Sequence, residues 1–301
     1  PIPRLSGATA GVKRTFRLML PAIFGSSIVQ INLLVDTMIA SFLVAGSISW
    51  LYISDRFVEL PLALFGIATA TVILPMLSRQ HVNSESEQFN QTMQWAMKLS
   101  LLIAIPAMLG LIVLAGPIIT TLIQYREFSA FDTQMASMSL IAYALGLPAF
   151  IFIKVLAPGF YSRQDTKTPV KIGVVAMLVN IALNLSFLWL WRHFEMPGTH
   201  SGLALATSLS AYVNATLLFI LLKRSQVIYQ LAEWIQMAVK VFAGSLIMML
   251  VLYWLIPQPA TWTEWGTYIR FVYLIGFIAL GALIYASILL ALGLRPRHFL
   301  P

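Results

Sequence analysis

MQWAMKLSLLIAIPAMLGLIVLAGPIITTL, residues 93–122, carries a single charge, Lys98. Wound as an α-helix at 1.5 Å per residue it would reach about 45 Å, more than the roughly 30 Å hydrocarbon core of a bilayer. A membrane β-strand would alternate apolar and polar residues, and this stretch does not. The segment therefore reads as a helix dissolved in lipid, with every backbone polar group paired inside itself.

Working outward, the same pattern repeats. Apolar runs occupy about 17–44, 57–78, 93–122, 131–161, 168–191, 200–222, 231–256 and 267–293. Of the 301 residues, 59% are hydrophobic and 10% charged. Ordinary soluble domains have about 25% charged residues, so this composition cannot wet a globular surface. The fold class expected is all-α, a polytopic transmembrane bundle of about eight spans.

The net charge of +8 does not point to nucleic acid. The basic residues stand singly between apolar runs and form no stripe or motif helix. Sorted into alternate loops, Arg4, Lys13, Arg14, Arg17, Arg79, Arg163, Lys167, Lys171, Lys223, Arg224, Arg295 and Arg297 fall on one side, and Arg56, Arg126, Arg192 and Arg270 on the other. By the positive-inside rule both ends of the chain belong in the cytoplasm, which requires an even number of spans. The chain starts Pro1-Ile2-Pro3 and is expected to be part of something longer.

Four spans carry proline or glycine punctuation: Pro21 and Gly25, Pro61 and Gly66, Pro106 and Gly110, Gly146 and Pro148. Proline removes a helix hydrogen bond and kinks the rod, a trait common in carriers that rock between two states. Trp50, Trp189, Trp191, Trp254, Trp262 and Trp265 are expected to anchor the outer membrane interface. His81, His193, His200 and His298 are read as loop or tail residues without metal-ligand spacing. Neither a Walker A sequence nor a GxSxG or HExxH motif occurs, so no motor or hydrolase is expected in this chain.

Three groups of polar residues are candidates for function. In SSIVQINLLVDTMIAS, residues 26–41, Gln30, Asn32 and Asp36 lie inside the first span, and a carboxylate there needs a partner. Asn180 and Asn184 share one face of the fifth span, and Thr207 adds a hydroxyl from the sixth. Such oxygen ligands suit a hard cation such as Na⁺, while interhelical hydrogen bonding would use the same groups. In SDRFVELP, residues 54–61, Ser54 and Asp55 read as helix-start residues. Arg56 is spaced to pair with Glu59 or to grip a phosphate with its planar fork of donors. In IKVLAPGFYSRQDTKTPVK, residues 153–171, Lys154, Arg163, Lys167 and Lys171 form a basic segment able to attract anionic lipid headgroups or a pyrophosphate.

The segment 25–79, from GSSIVQINLLVD to ILPMLSR, together with 153–171, resembles the MurJ (MviN) family of lipid II flippases over nearly the whole chain. The resemblance implies a two-lobe transporter of the MOP superfamily, of which this chain is the second half. Residues 1–16 would be a cytoplasmic lead-in, 17–224 the six-helix C-terminal lobe, and 225–301 two additional helices with a short cytoplasmic tail. It implies a non-enzymatic flippase that moves undecaprenyl-pyrophosphate-linked lipid II across the bacterial inner membrane. A MOP-type exporter of another polyprenyl-linked saccharide or of drugs, or a non-transporting scaffold, is the alternative. Asp55, Arg56 and Glu59 match the family's charged cavity cluster, joined as substrate contacts by Lys154, Arg163 and Lys167. Asp36, Asn180, Asn184 and Thr207 match a sodium site of some relatives, with Asn184 where a carboxylate would bind Na⁺ more strongly. The partners implied are lipid II, membrane lipids, an N-terminal lobe and cell-wall synthesis proteins.

Overall fold

The computed structural model describes residues 10–194, 197–224 and 231–294. Residues 1–9, 195–196, 225–230 and 295–301, with Arg4, Arg295, Arg297 and His298, lie outside the described residues. The described chain is a bundle of helices without a strand: α1 (Ala10–Ser41), α2 (Ser47–Pro61), α3 (Ala68–Val82), α4 (Ser86–Leu122), α5 (Ala130–Tyr161), α6 (Lys167–His193), α7 (Thr199–Arg224), α8 (Leu231–Leu255), a short α9 (Pro259–Glu264) and α10 (Thr267–Ala291). Among the described residues seven helical stretches are long and apolar enough to cross a membrane; α1 adds the shorter apolar stretch Ser27–Ser41.

Large apolar side chains cover the outside, among them Leu34, Phe42, Leu178, Tyr253 and Ile275. In water this surface would drive aggregation; against acyl chains it is the correct solvent match. The core runs along α5, which packs most extensively on α7 and α4. Leu140, Leu147 and Ile151 of α5, with Ala104 and Ile119 of α4 and Leu203 of α7, form its central part.

Small residues let these helices approach. A Cβ on Gly146 would stand 2.5 Å from Ser208 Oγ and 2.8 Å from Ser208 Cα, so α5 and α7 touch backbone to backbone there. Ser208 Oγ in turn donates to the Ala142 carbonyl at 2.7 Å. Tyr212 donates to the Leu145 carbonyl at 2.8 Å, and Ser54 of α2 to Ala136 at 2.7 Å. Polar side chains of α7 and α2 thus close on the backbone of α5 along both seams.

Proline has distinct consequences in different helices. After Pro61 the chain continues through a π-helical turn, Leu62–Ile67, before α3. Such wide single turns are rare and occur mostly as bulges inside α-helices. In α4, Pro106 cannot donate to the carbonyl of Leu102, four residues earlier. The Tyr285 hydroxyl of α10 fills that vacancy at 2.7 Å. Arg270, at the start of α10, donates to the Trp265 and Thr263 carbonyls at 2.9 and 2.8 Å and reaches Thr120 of α4 at 3.4 Å. The final helix pair is therefore fastened to the lobe through α4.

Three sequence expectations need correction. Trp50 and Trp262 are 3% and 1% exposed, so they are core residues and not interfacial anchors. Trp189 and Trp254, at 66% and 87%, do face outward. The indole of Trp50 donates to Asp132 at 2.9 Å, and Asp132 closes a capping box with Ser129 at the start of α5. That Ser-x-x-Asp spacing was visible in the sequence and marks the helix start. His200 is not a loop residue: it is buried in the first turn of α7, its Nε2 3.0 Å from the Met135 carbonyl and its ring against Trp50. Finally, Ser54 and Asp55 do not begin a helix. α2 starts at Ser47 behind Gly46, whose φ of 101° and contact with the Trp50 ring exclude a side chain. The charged group thus sits two turns inside the helix, because apolar Trp50 and Leu51 are covered by protein and need no polar start beside them.

Candidate functional site: a carboxylate and three amides between three helices

On α6 the buried residues are Ile172, Ala176, Asn180 and Asn184. They recur every four residues, so one narrow stripe of the helix faces protein while Leu178 and Leu185 face outward. On α1 the line Asn32, Asp36, Ala40 has the same spacing, with Asp36 9% exposed. The two stripes meet because the helices come close nearby: a Cβ on Gly25 would lie 3.0 Å from Val170, and one on Gly173 3.9 Å from Ile28.

Where they meet, Asn184 Nδ2 donates to Asp36 Oδ1 at 2.6 Å and to Asn180 Oδ1 at 2.9 Å. Thr207 of α7 lies against the other carboxylate oxygen: its hydroxyl reaches Asp36 Oδ2 at 3.3 Å or its own helix at Leu203 at 3.1 Å. Asn180 Nδ2 donates to that hydroxyl at 3.2 Å, and Asn32 Nδ2 approaches Asp36 Oδ2 at 3.5 Å. All four residues assigned to a cation from the sequence thus converge, joined by Asn32. The Oδ1 of Asn184, fully buried, is left without a partner.

The donor set fits a hard, singly charged cation. It comprises one carboxylate, amide oxygens and a hydroxyl. Among the described residues no three His, Cys, Asp or Glu side chains gather as a metal site. The unpartnered Asn184 oxygen is an unused acceptor of the type such an ion takes.

The charged group on α2 faces the opposite way from the core. Trp50, Leu51, Ser54 and Val58 are buried, whereas Tyr52, Arg56 and Glu59 are exposed. Arg56 pairs with Glu59 at 2.5 Å and lies over the Tyr52 ring at 4.7 Å. This matches the expected i, i+3 pair and leaves the remaining donors of the guanidinium outward. Asp55 is half-buried beside them.

The basic segment is less unified. Lys154 and Lys167 are exposed, while Arg163 lies 4.4 Å over the Phe89 ring of α4. Asp165 accepts from the Lys167 and Thr168 backbone N–H groups at 3.1 and 3.0 Å and so caps α6. The turn between α5 and α6 is thus held by its own residues, with the lysines presented around it.

An apolar helical bundle with a carboxylate buried between its spans and a charged group on an exposed helix face is an arrangement found in membrane carriers. The comparisons with known proteins agree. The family profile "Lipid II flippase MurJ" matches residues 1–276. A relative from Vibrio cholerae, named "Probable lipid II flippase MurJ", is 47% identical over 293 residues, covering 97% of this chain and 54% of that protein. A solved structure titled "Lipid II flippase MurJ, inward closed conformation" superposes with a TM-score of 0.73 at 29% identity, over 94% of this chain and 55% of that one. An outward-facing multidrug resistance MATE family transporter of the MOP superfamily shares the fold alone, with a TM-score of 0.56 at 18% identity over 80% of this chain and 53% of that one. The chain belongs to the MurJ family of lipid II flippases, as a multi-pass protein of the bacterial inner membrane. It spans about half the length of the relatives it matches.

Proposed function

We propose that the protein containing this chain flips lipid II by alternating access, as a transporter and not an enzyme, with this chain as its second half. In this reading 17–224 is the C-terminal six-helix lobe, 225–301 holds the two additional helices and a short cytoplasmic tail, and an N-terminal lobe completes the cavity. Residues 1–16 lead in from the cytoplasm, where both ends of the chain lie by the distribution of Lys and Arg. The observation that carries this reading is the outward-facing Arg56 on α2, set on the same lobe as a buried carboxylate.

In this scheme Arg56, with Asp55 and Glu59, meets the pyrophosphate of the headgroup. An arginine fork matches phosphate oxygens in pairs, and Glu59 holds it extended until substrate competes for it. Lys154, Arg163 and Lys167 draw the anionic headgroup and neighbouring membrane lipids toward the cytoplasmic mouth. Cell-wall synthesis proteins supply and take up the substrate. Sodium bound by Asp36, Asn180, Asn184 and Thr207 would neutralise the carboxylate and tie α1 to α6 and α7. Removing it would loosen α1 from the rest of the lobe, which is a route for coupling an ion to lobe movement.

The test is complementation. Cells depleted of their own lipid II flippase receive the full-length protein with Arg56→Ala, and lipid II exposed on the outer leaflet is labelled. Flipping is expected to fall about tenfold or more, the equivalent of roughly 1.4 kcal/mol of lost substrate contact. Undiminished labelling with the Arg56→Ala protein overturns the assignment.

A further inference from the structure

The polar cluster between α1, α6 and α7 contains a conflict that no rotation of its amides removes. As placed, Asn180 Oδ1 accepts from Asn184, yet it also faces two acceptors. Turned over, Asn180 Nδ2 stands 3.0 Å from Asn32 Oδ1 and 3.1 Å from Asp36 Oδ1, which it satisfies, but only 2.9 Å from Asn184 Nδ2, another donor. Turning Asn184 as well would set its oxygen 2.6 Å from the Asp36 carboxylate, where its nitrogen now donates. Turning Asn32 instead sets its Nδ2 3.0 Å from Asn180 Oδ1, which still lies 3.1 Å from Asp36 Oδ1 while Asn184 Oδ1 stays without a partner. Each arrangement thus leaves like atoms in contact or a buried acceptor unfilled while Asp36 is ionised, inside a site whose core residues Asn180 and Asn184 are 1% and 0% exposed. Burying such a mismatch is costly.

A cation removes it. With Asn180 as placed, its Oδ1 lies 3.0 Å from Asn32 Oδ1 and 3.1 Å from Asp36 Oδ1. That is the spacing of neighbouring ligands around a hard ion held at about 2.3–2.6 Å. We propose that Asn32 is a further ligand of this cation site, giving it an amide oxygen from the same helix face as Asp36 and so setting its strength and its preference among monovalent ions. The inference rests on the cation reading of Asp36 and its partners, and extends it to a residue outside that set. With Asn180 as placed, Asn32 approaches Asp36 only at 3.5 Å, too long to hold it. Its position one turn before Asp36 places it at the rim, half-buried, where it can close over an ion after entry.

The full-length protein in detergent is melted in Na⁺, Li⁺ or K⁺ chloride titrations. The variants are Asn32→Leu, which keeps volume but not the oxygen, Asn32→Asp, which adds charge, and Asp36→Asn. Sodium is expected to raise the melting temperature of the unaltered protein. Asn32→Leu should shift the half-saturating Na⁺ concentration upward by about tenfold or more, and Asn32→Asp should lower it. Melting in choline chloride establishes that each variant folds. If Asn32→Leu keeps the unaltered Na⁺ response while Asp36→Asn loses it, the site stands and Asn32 is no ligand. If the unaltered protein shows no response to any of the three ions, the cation site itself is wrong, and Asn32 falls with it.

Discussion

Along the seams of α5 with α7 and α2 and in the α1–α6–α7 cluster, polar side chains join apolar helices, yet they are used differently. On the seams each partner is a backbone carbonyl of α5: Ala142 for Ser208 and Leu145 for Tyr212, both of α7, and Ala136 for Ser54 of α2. A carbonyl's orientation is fixed by its helix, so these bonds stitch the lobe together. In the cluster the partners are other side chains, Asn184 to Asp36 and Asn180 to Thr207, and one buried oxygen is left over. Side chains can turn, and an unfilled acceptor accommodates a visitor. In a membrane interior, then, polarity alone does not mark function; what the polar atom is bonded to does.

Substitutions can break this contrast, and the largest loss of stability should come from the seam. Gly146→Val would force side-chain atoms into Ser208, and overpacking should destabilise the fold by about 3 kcal/mol, read as a lower melting temperature and poor yield. Tyr285→Phe should cost about 1 kcal/mol, since the Leu102 carbonyl facing Pro106 would then have no donor. Its effect should appear as earlier loosening of the α8–α10 helices in hydrogen exchange, with flipping retained. Asp36→Asn should be the mildest for stability, within about 0.5 kcal/mol when melted without sodium, because an amide keeps the volume and removes a buried charge. The same variant should nevertheless fail in the lipid II labelling assay. Were it to unfold the lobe while Gly146→Val left it intact, the division between stitching and working polar groups would be reversed.

Particular residues show what could be read in advance. The apolar run at 93–122 demanded a membrane helix, and α4 covers it. The four-residue spacing of Asn180 and Asn184 placed them on one face, and they share it. The pairing of Arg56 with Glu59 also follows from spacing alone. The burial of Trp50, Trp262 and His200 did not, because an aromatic ring at a span's end is equally suited to the interface or to a neighbouring helix, and only packing chooses.

Solvation fixed the class of this protein from its sequence: helices this apolar must pair their own backbones, and any charge inside them must be sheltered. Convergence was decided by the fold. Asp36 meets Asn184 across 148 residues of chain and Thr207 across 171, contacts that depend on how α1 lies against α6 and α7. Helical spacing is local and so is written in the order of residues, whereas the approach of distant helices is set by glycines, kinks and the shapes of the side chains between them.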